Sequence, residues 1–174
     1  DLLNQEPQSK IVPSDYYVTA DQVQSCVDKI YQDVLPAHTG SYGTFGFDID
    51  TDNEAYVTPS SKYAKGQWKV KMDDTSNWSW DNVRNINYQL NSILNNYNAG
   101  KINGTDKNIR QYIGELYFLR AYSYFTLLQK YGDLPIIRQA FIDDKDILIA
   151  ASKRSPRNEV SRFIIQDLDS AVLM

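Results

Sequence analysis

Hydrolytic and metal chemistry need side chains that this sequence supplies sparingly. There is one histidine, His38, and one cysteine, Cys26. A serine–histidine–carboxylate relay or a zinc centre cannot be assembled convincingly from that pair. The run Asp48-Ile49-Asp50-Thr51-Asp52 opens like an EF-hand calcium loop. Such a loop needs glycine at its sixth position and a bidentate glutamate at its twelfth, where this chain has Asn53 and Pro59. Carboxylate pairs are present, as in any acidic chain, and single out no glycosidase pair. The expectation is a chain that is not an enzyme, with no catalytic set, no metal and no cofactor.

The chemistry on offer is recognition. The chain has 13 Tyr, 6 Phe and 3 Trp, rings that suit helix packing and sugar stacking alike. A sugar lays its C–H face on an aromatic ring while Asp, Asn and Arg take its hydroxyls. The residues that fit this in one stretch are Trp68, Trp78, Tyr63, Tyr42, Asp50 and Asp52. Trp68 and Trp78 are flanked by Lys, Asp, Ser and Asn rather than by apolar runs, which favours exposure. Local packing stays open as the alternative for each ring. The net charge of −4 and the lack of a basic stripe leave nucleic acid a poor partner. No apolar run approaches the roughly 18 residues of a membrane span. A lone cysteine excludes an intrachain disulfide scaffold.

The elements that must position these residues are helical. Ser14 or Thr19 can cap a first helix carrying Val23, Val27, Ile30, Tyr31 and Val34, ended by Pro36. Residues 37–75, with four glycines and Pro59, hold no period and are expected as a long irregular region. Trp80, Val83, Ile86, Leu90, Ile93, Leu94 and Tyr97 trace one helical stripe, closed by Gly100. Asp106 is expected to cap the next helix, whose stripe runs from Ile109 to Tyr131. Within it, Gly114, Ala121 and Ser123 leave room for a close neighbour. Gly132 and Pro135 stop that helix. Residues 136–153 give no clear pattern. Ser155-Pro156 then reads as N-cap and first residue of a last helix, with Val160, Phe163, Ile164, Leu168, Ala171 and Val172 as its apolar face. The fold class is all-α: helical hairpins stacked in the tetratricopeptide manner, with the irregular region between the first helix and the first hairpin.

Four stretches carry a family resemblance. They are Asp1-Leu2-Leu3-Asn4-Gln5-Glu6-Pro7, Trp80-Asp81-Asn82-Val83-Arg84-Asn85-Ile86-Asn87, Gly114-Glu115-Leu116-Tyr117-Phe118-Leu119-Arg120-Ala121 running on to Tyr131-Gly132-Asp133-Leu134-Pro135, and Arg154 through Ala171. Together they resemble the SusD/RagB family of outer-membrane nutrient-binding lipoproteins, and residues 1–174 are similar to its N-terminal helical part. The resemblance implies an outward-facing protein of the cell outer membrane, lipid-anchored through a segment outside this sequence. It implies an oligosaccharide or peptide ligand, and a SusC-like TonB-dependent transporter as partner. The C-terminal part of the family fold is expected to be absent from these residues.

The motif residues themselves point to structure rather than to ligand. Glu115 and Arg120 are five apart, so each is expected to reach another helix, and a guanidinium can fork onto a carboxylate or onto helix-end carbonyls. Trp80 and Asn87, seven apart, share a face. Trp80 is expected as a core anchor and Asn87 as a tie on nearby backbone. Gly132, Asp133 and Pro135 form the sharp exit. The competing function is a helical-repeat scaffold that grips a protein and binds no small molecule.

Overall fold

The computed structural model describes residues 16–37, 78–141 and 144–174. The chain divides into two compact units, Asp1–Val34 with Trp80–Met174, and Leu35–Ser79. The irregular region expected at 37–75 lies outside the described residues, apart from Ala37.

Among its described residues the first unit contains five helices: α1 (Ala20–Val34), α2 (Asp81–Asn98), α3 (Asp106–Tyr131), α4 (Lys145–Ala151) and α5 (Arg157–Leu173). Among the described residues the only β pairings are two isolated bridges, Thr19 with Asn103 and Leu134 with Ser155. The all-α expectation therefore holds.

Thr19 starts α1. Its Oγ1 accepts from the Gln22 amide at 3.3 Å, and the Gln22 Oε1 accepts from the Thr19 amide at 3.0 Å. This reciprocal pair satisfies two donors that a helix start leaves open. The cap of α3 differs from expectation. Thr105 is the cap, its Oγ1 accepting from Asn108, and Asp106 is already helical. A threonine in extended backbone satisfies the same donor, and Asp106 is left to bond the Tyr97 hydroxyl at 2.7 Å.

α3 is the central helix, packing on α1, α2 and most extensively α5. Its 26 residues span about 39 Å at 1.5 Å per residue. Because neighbours surround it, buried residues appear on several faces, among them Ile113, Leu116, Leu119, Tyr124 and Leu127. α2 and α3 run antiparallel: Tyr97 at the end of α2 meets Asp106, while Trp80 at its start packs on Tyr124. α3 and α5 are antiparallel as well. Tyr124 meets Phe163 near one end, and near the other a Cβ on Gly114 would stand 2.8 Å from the Ala171 carbonyl oxygen. Glycine at 114 is what lets the two helices approach so closely.

Two expectations about α5 are corrected. Ser155 is not its cap. Ser155 instead exchanges backbone hydrogen bonds with Leu134, at 2.9 and 3.2 Å, and the Arg157 amide donates to Asp133 Oδ1 at 3.0 Å. The cap thus comes from the Gly-Asp-x-Pro exit, which sits against the helix start. The buried face is also rotated. Val160, Phe163 and Ile164 are buried as expected, but the next buried position is Asp167, while Leu168 and Val172 are exposed. Asp167 goes inside because a cation waits for it there.

Candidate functional site

That cation is Arg120. Its Nε and Nη2 donate to the two carboxylate oxygens of Asp167 at 2.7 and 2.8 Å. Its Nη1 donates to Asn87 Oδ1 at 2.8 Å and to the Arg138 carbonyl at 3.0 Å. All three side chains are nearly solvent-free, at 4% for Arg120, 2% for Asp167 and 0% for Asn87. No buried side-chain polar atom among the described residues lacks a partner, as so costly a burial requires. The planar fork matches a carboxylate in two bonds, which lysine could not do. The guanidinium also lies 5.3 Å from the Tyr117 ring centre and 5.4 Å from that of Phe163.

The network fixes a stretch with no helical bonds of its own, residues 134–141. Asn87 Nδ2 donates to the Ile137 carbonyl at 2.9 Å, and the Ile137 amide donates to the Tyr124 hydroxyl at 2.7 Å. Burial raises the Tyr124 hydroxyl to about 12, against the smaller opposing effect of the Ile137 amide. The chain after Pro135 is thereby pinned beside the first half of α2.

A groove opens between the pinned stretch and α2. Its inner end is a pocket of about 200 Å³ walled by Trp80, Val83, Ile137, Gln139 and Leu148. Its outer end, about 380 Å³, is lined by Asp81, Asn85 and Tyr88. Arg84, Ala140 and Phe141 line both. The mixture of rings and planar polar groups can stack a flat apolar face and hydrogen-bond its rim. No group of metal-ligating side chains occurs among the described residues.

The expected ligand residues fall as follows. Trp68, Tyr63, Tyr42, Asp50 and Asp52 lie outside the described residues. Trp78 is described and half-buried, in the other compact unit. Of the motif residues, Trp80 is half-buried with its ring edge-on to Tyr124 at 5.8 Å between centres, and Asn87 ties the 137 backbone. Glu115 accepts from Gln111 at 3.0 Å and bonds Tyr31 of α1, whose hydroxyl is shifted upward by burial first and by that carboxylate second. Gly132 takes a positive φ of 74°, Asp133 caps α5, and the Pro135 carbonyl is approached by the Tyr124 hydroxyl. Cys26, half-buried, keeps a thiol raised by burial, with Tyr17 as its hydrogen-bond partner. Sequence reasoning missed Arg84, Tyr88, Gln139 and Phe141. Arg84 and Tyr88 sit on the outer face of α2, where a polar residue is unremarkable, and 139–141 fall in the stretch without a readable pattern.

Comparison with known proteins decides the family. All 174 residues match a SusD-like family described as starch-binding and associating with the outer membrane. The chain belongs to the SusD-like family. Its relatives include SusD-like proteins P2, P25 and P38 of Formosa agariphila. P2 is 38% identical over 74 residues, 42% of this chain and 14% of P2. P25 is 22% identical over 98% of this chain and 34% of its own length, and P38 is 24% identical over 98% and 33%. The chain thus spans about a third of the length of P25 and P38. A SusD-like carbohydrate-binding protein from Bacteroides fragilis superposes with a TM-score of 0.61 at 14% identity, over 91% of this chain and 32% of that one. At that identity the match speaks for the SusD-like fold alone.

Proposed function

We propose that this chain is the helical part of a cell-surface glycan-capture protein that serves nutrient uptake across the outer membrane. The observation that carries the proposal is the family match over all 174 residues, with its starch-binding description. The protein faces outward, is held by a lipid anchor outside these residues, and delivers oligosaccharide to a SusC-like TonB-dependent transporter. Its role is binding, not catalysis. Aromatic rings and planar polar side chains perform the capture, because they match both the C–H face and the hydroxyl rim of a pyranose. Trp68, Trp78, Tyr63, Tyr42, Asp50 and Asp52 belong to the proposed contact set. The Arg120 network serves as the rigid support.

Titration calorimetry of the full-length protein against neutral and acidic oligosaccharides, and against peptides, tests this. Saturable binding of a glycan is expected. Peptide binding without glycan binding would move the cargo to the other class. No ligand at all, with tight co-purification of a transporter, would leave the scaffold function in its place.

A further inference from the structure

We infer that the groove between the first half of α2 and residues 137–141 is a subsite for one neutral pyranose unit, built by the helical unit's own side chains. The inference rests on the glycan-capture function proposed above and adds residues to it.

Three observations carry it. The groove is graded, more apolar at the Trp80, Val83, Ile137 and Leu148 end, where Gln139 is an added polar group, and more polar at the Asp81, Asn85 and Tyr88 end. A pyranose is graded in the same sense, with an apolar C–H face and a rim of hydroxyls. Next, Arg84, Asn85 and Tyr88 have capacity to spare. Arg84 and Tyr88 are exposed, and the Arg84 guanidinium makes no hydrogen bond or ion pair with any described residue. Asn85 Oδ1 accepts from Gln89 at 3.2 Å, which leaves its two N–H donors for a ligand. Asp81, Arg84, Asn85 and Tyr88 follow at three- and four-residue spacing, so they share one helix face. Finally, both walls are already in place. The Asn87 bond to the Ile137 carbonyl and the Ile137 amide bond to Tyr124 hold the far wall in register with α2, so little ordering cost falls on binding.

The ligand class follows from charge. Arg84 and Asp81 place a cation and an anion in one groove, so neither an acidic nor a basic sugar is favoured over a neutral one. Arg84 can fork onto neighbouring hydroxyls, and the Tyr88 and Phe141 rings offer stacking faces.

The test uses the full-length protein and its Arg84→Ala and Tyr88→Ala variants. Both side chains are exposed, so both variants are expected to fold with the wild-type melting temperature. The probes are maltoheptaose, cellohexaose and xylohexaose, with a galacturonic acid oligomer as the acidic control. Each variant is expected to raise the Kd of the neutral sugar that binds best by about ten-fold, the equivalent of one lost contact of about 1.4 kcal/mol. If wild type binds that sugar and both variants bind it equally well, the subsite is wrong while glycan capture stands. If wild type binds none of the sugars, capture fails and the subsite with it. Tighter binding of the galacturonic acid oligomer than of any neutral sugar would overturn the neutral class.

Discussion

Replacing Arg120 with Met should be among the most damaging single changes in the helical unit. The magnitude follows from what is left behind. Both oxygens of Asp167 accept from Arg120, and Asp167 is only 2% exposed, so its charge would stay buried with no cation beside it. Asn87 Oδ1 and the Arg138 carbonyl would each lose a donor as well. Breaking a buried pair in this way costs about 3–5 kcal/mol. For a chain of this size that is a melting-temperature loss of about 6–20 °C. Asp167→Leu should cost less, because the guanidinium keeps Asn87, the Arg138 carbonyl and the Tyr117 and Phe163 rings. The double variant removes both charges. Its remaining penalty is the Asn87 acceptor and the Arg138 carbonyl left without their donor, about 1–3 kcal/mol for each group. It removes the buried unpaired charge that Arg120→Met leaves, so it should be no less stable than Arg120→Met alone, and the coupling should be at least as large as the whole Asp167→Leu loss. Urea unfolding followed by far-UV circular dichroism measures all four proteins. A double variant whose loss equals the sum of the two single losses would refute the claim that these side chains stabilise the fold as one unit.

Three further outcomes follow from single contacts. Gly114→Ala should destabilise by about 1–3 kcal/mol, although alanine favours a helix interior, because its Cβ would meet the Ala171 carbonyl at 2.8 Å; a higher melting temperature would contradict the close packing of α3 on α5. Asp133→Ala should cost about 1 kcal/mol by removing the acceptor of the Arg157 amide, with Asp133→Asn retaining most of it, and equal losses in the two variants would count against a capping role. Stability should fall at alkaline pH through Tyr124, whose folded-state value of about 12 lies above its ordinary 10.0. The neutral phenol is the form the fold favours, so its contribution is complete below about pH 10 and is lost as pH rises toward 12, roughly 2–3 kcal/mol in all. Tyr124→Phe should flatten that decline in urea midpoints, and parallel profiles for the two proteins would disprove it.

The helices and their ends were largely legible in the sequence because their signals are local. Periodic Val, Ile and Leu marked α1, α2 and α3, Thr19 was one of two starts on offer beside Ser14, and Gly132 with Pro135 marked a stop. The family motifs were legible too, and with them the SusD-like assignment. What the sequence could not supply was pairing at a distance. Arg120 needs Asp167, 47 residues away, Asn87 needs Ile137, 50 away, and the cap of α5 is Asp133, 24 residues before Arg157. Ser155-Pro156 looked like a self-sufficient start because the remote carboxylate was invisible. The face of α5 was misjudged at Leu168 for a related reason: hydropathy ranks leucine inside and aspartate outside, and only a waiting guanidinium reverses that order. The groove beside α2 belongs to the same class. No stretch of chain encodes it, since its two walls, residues 80–88 and 137–141, become neighbours only when the Asn87 and Tyr124 bonds close across the fold.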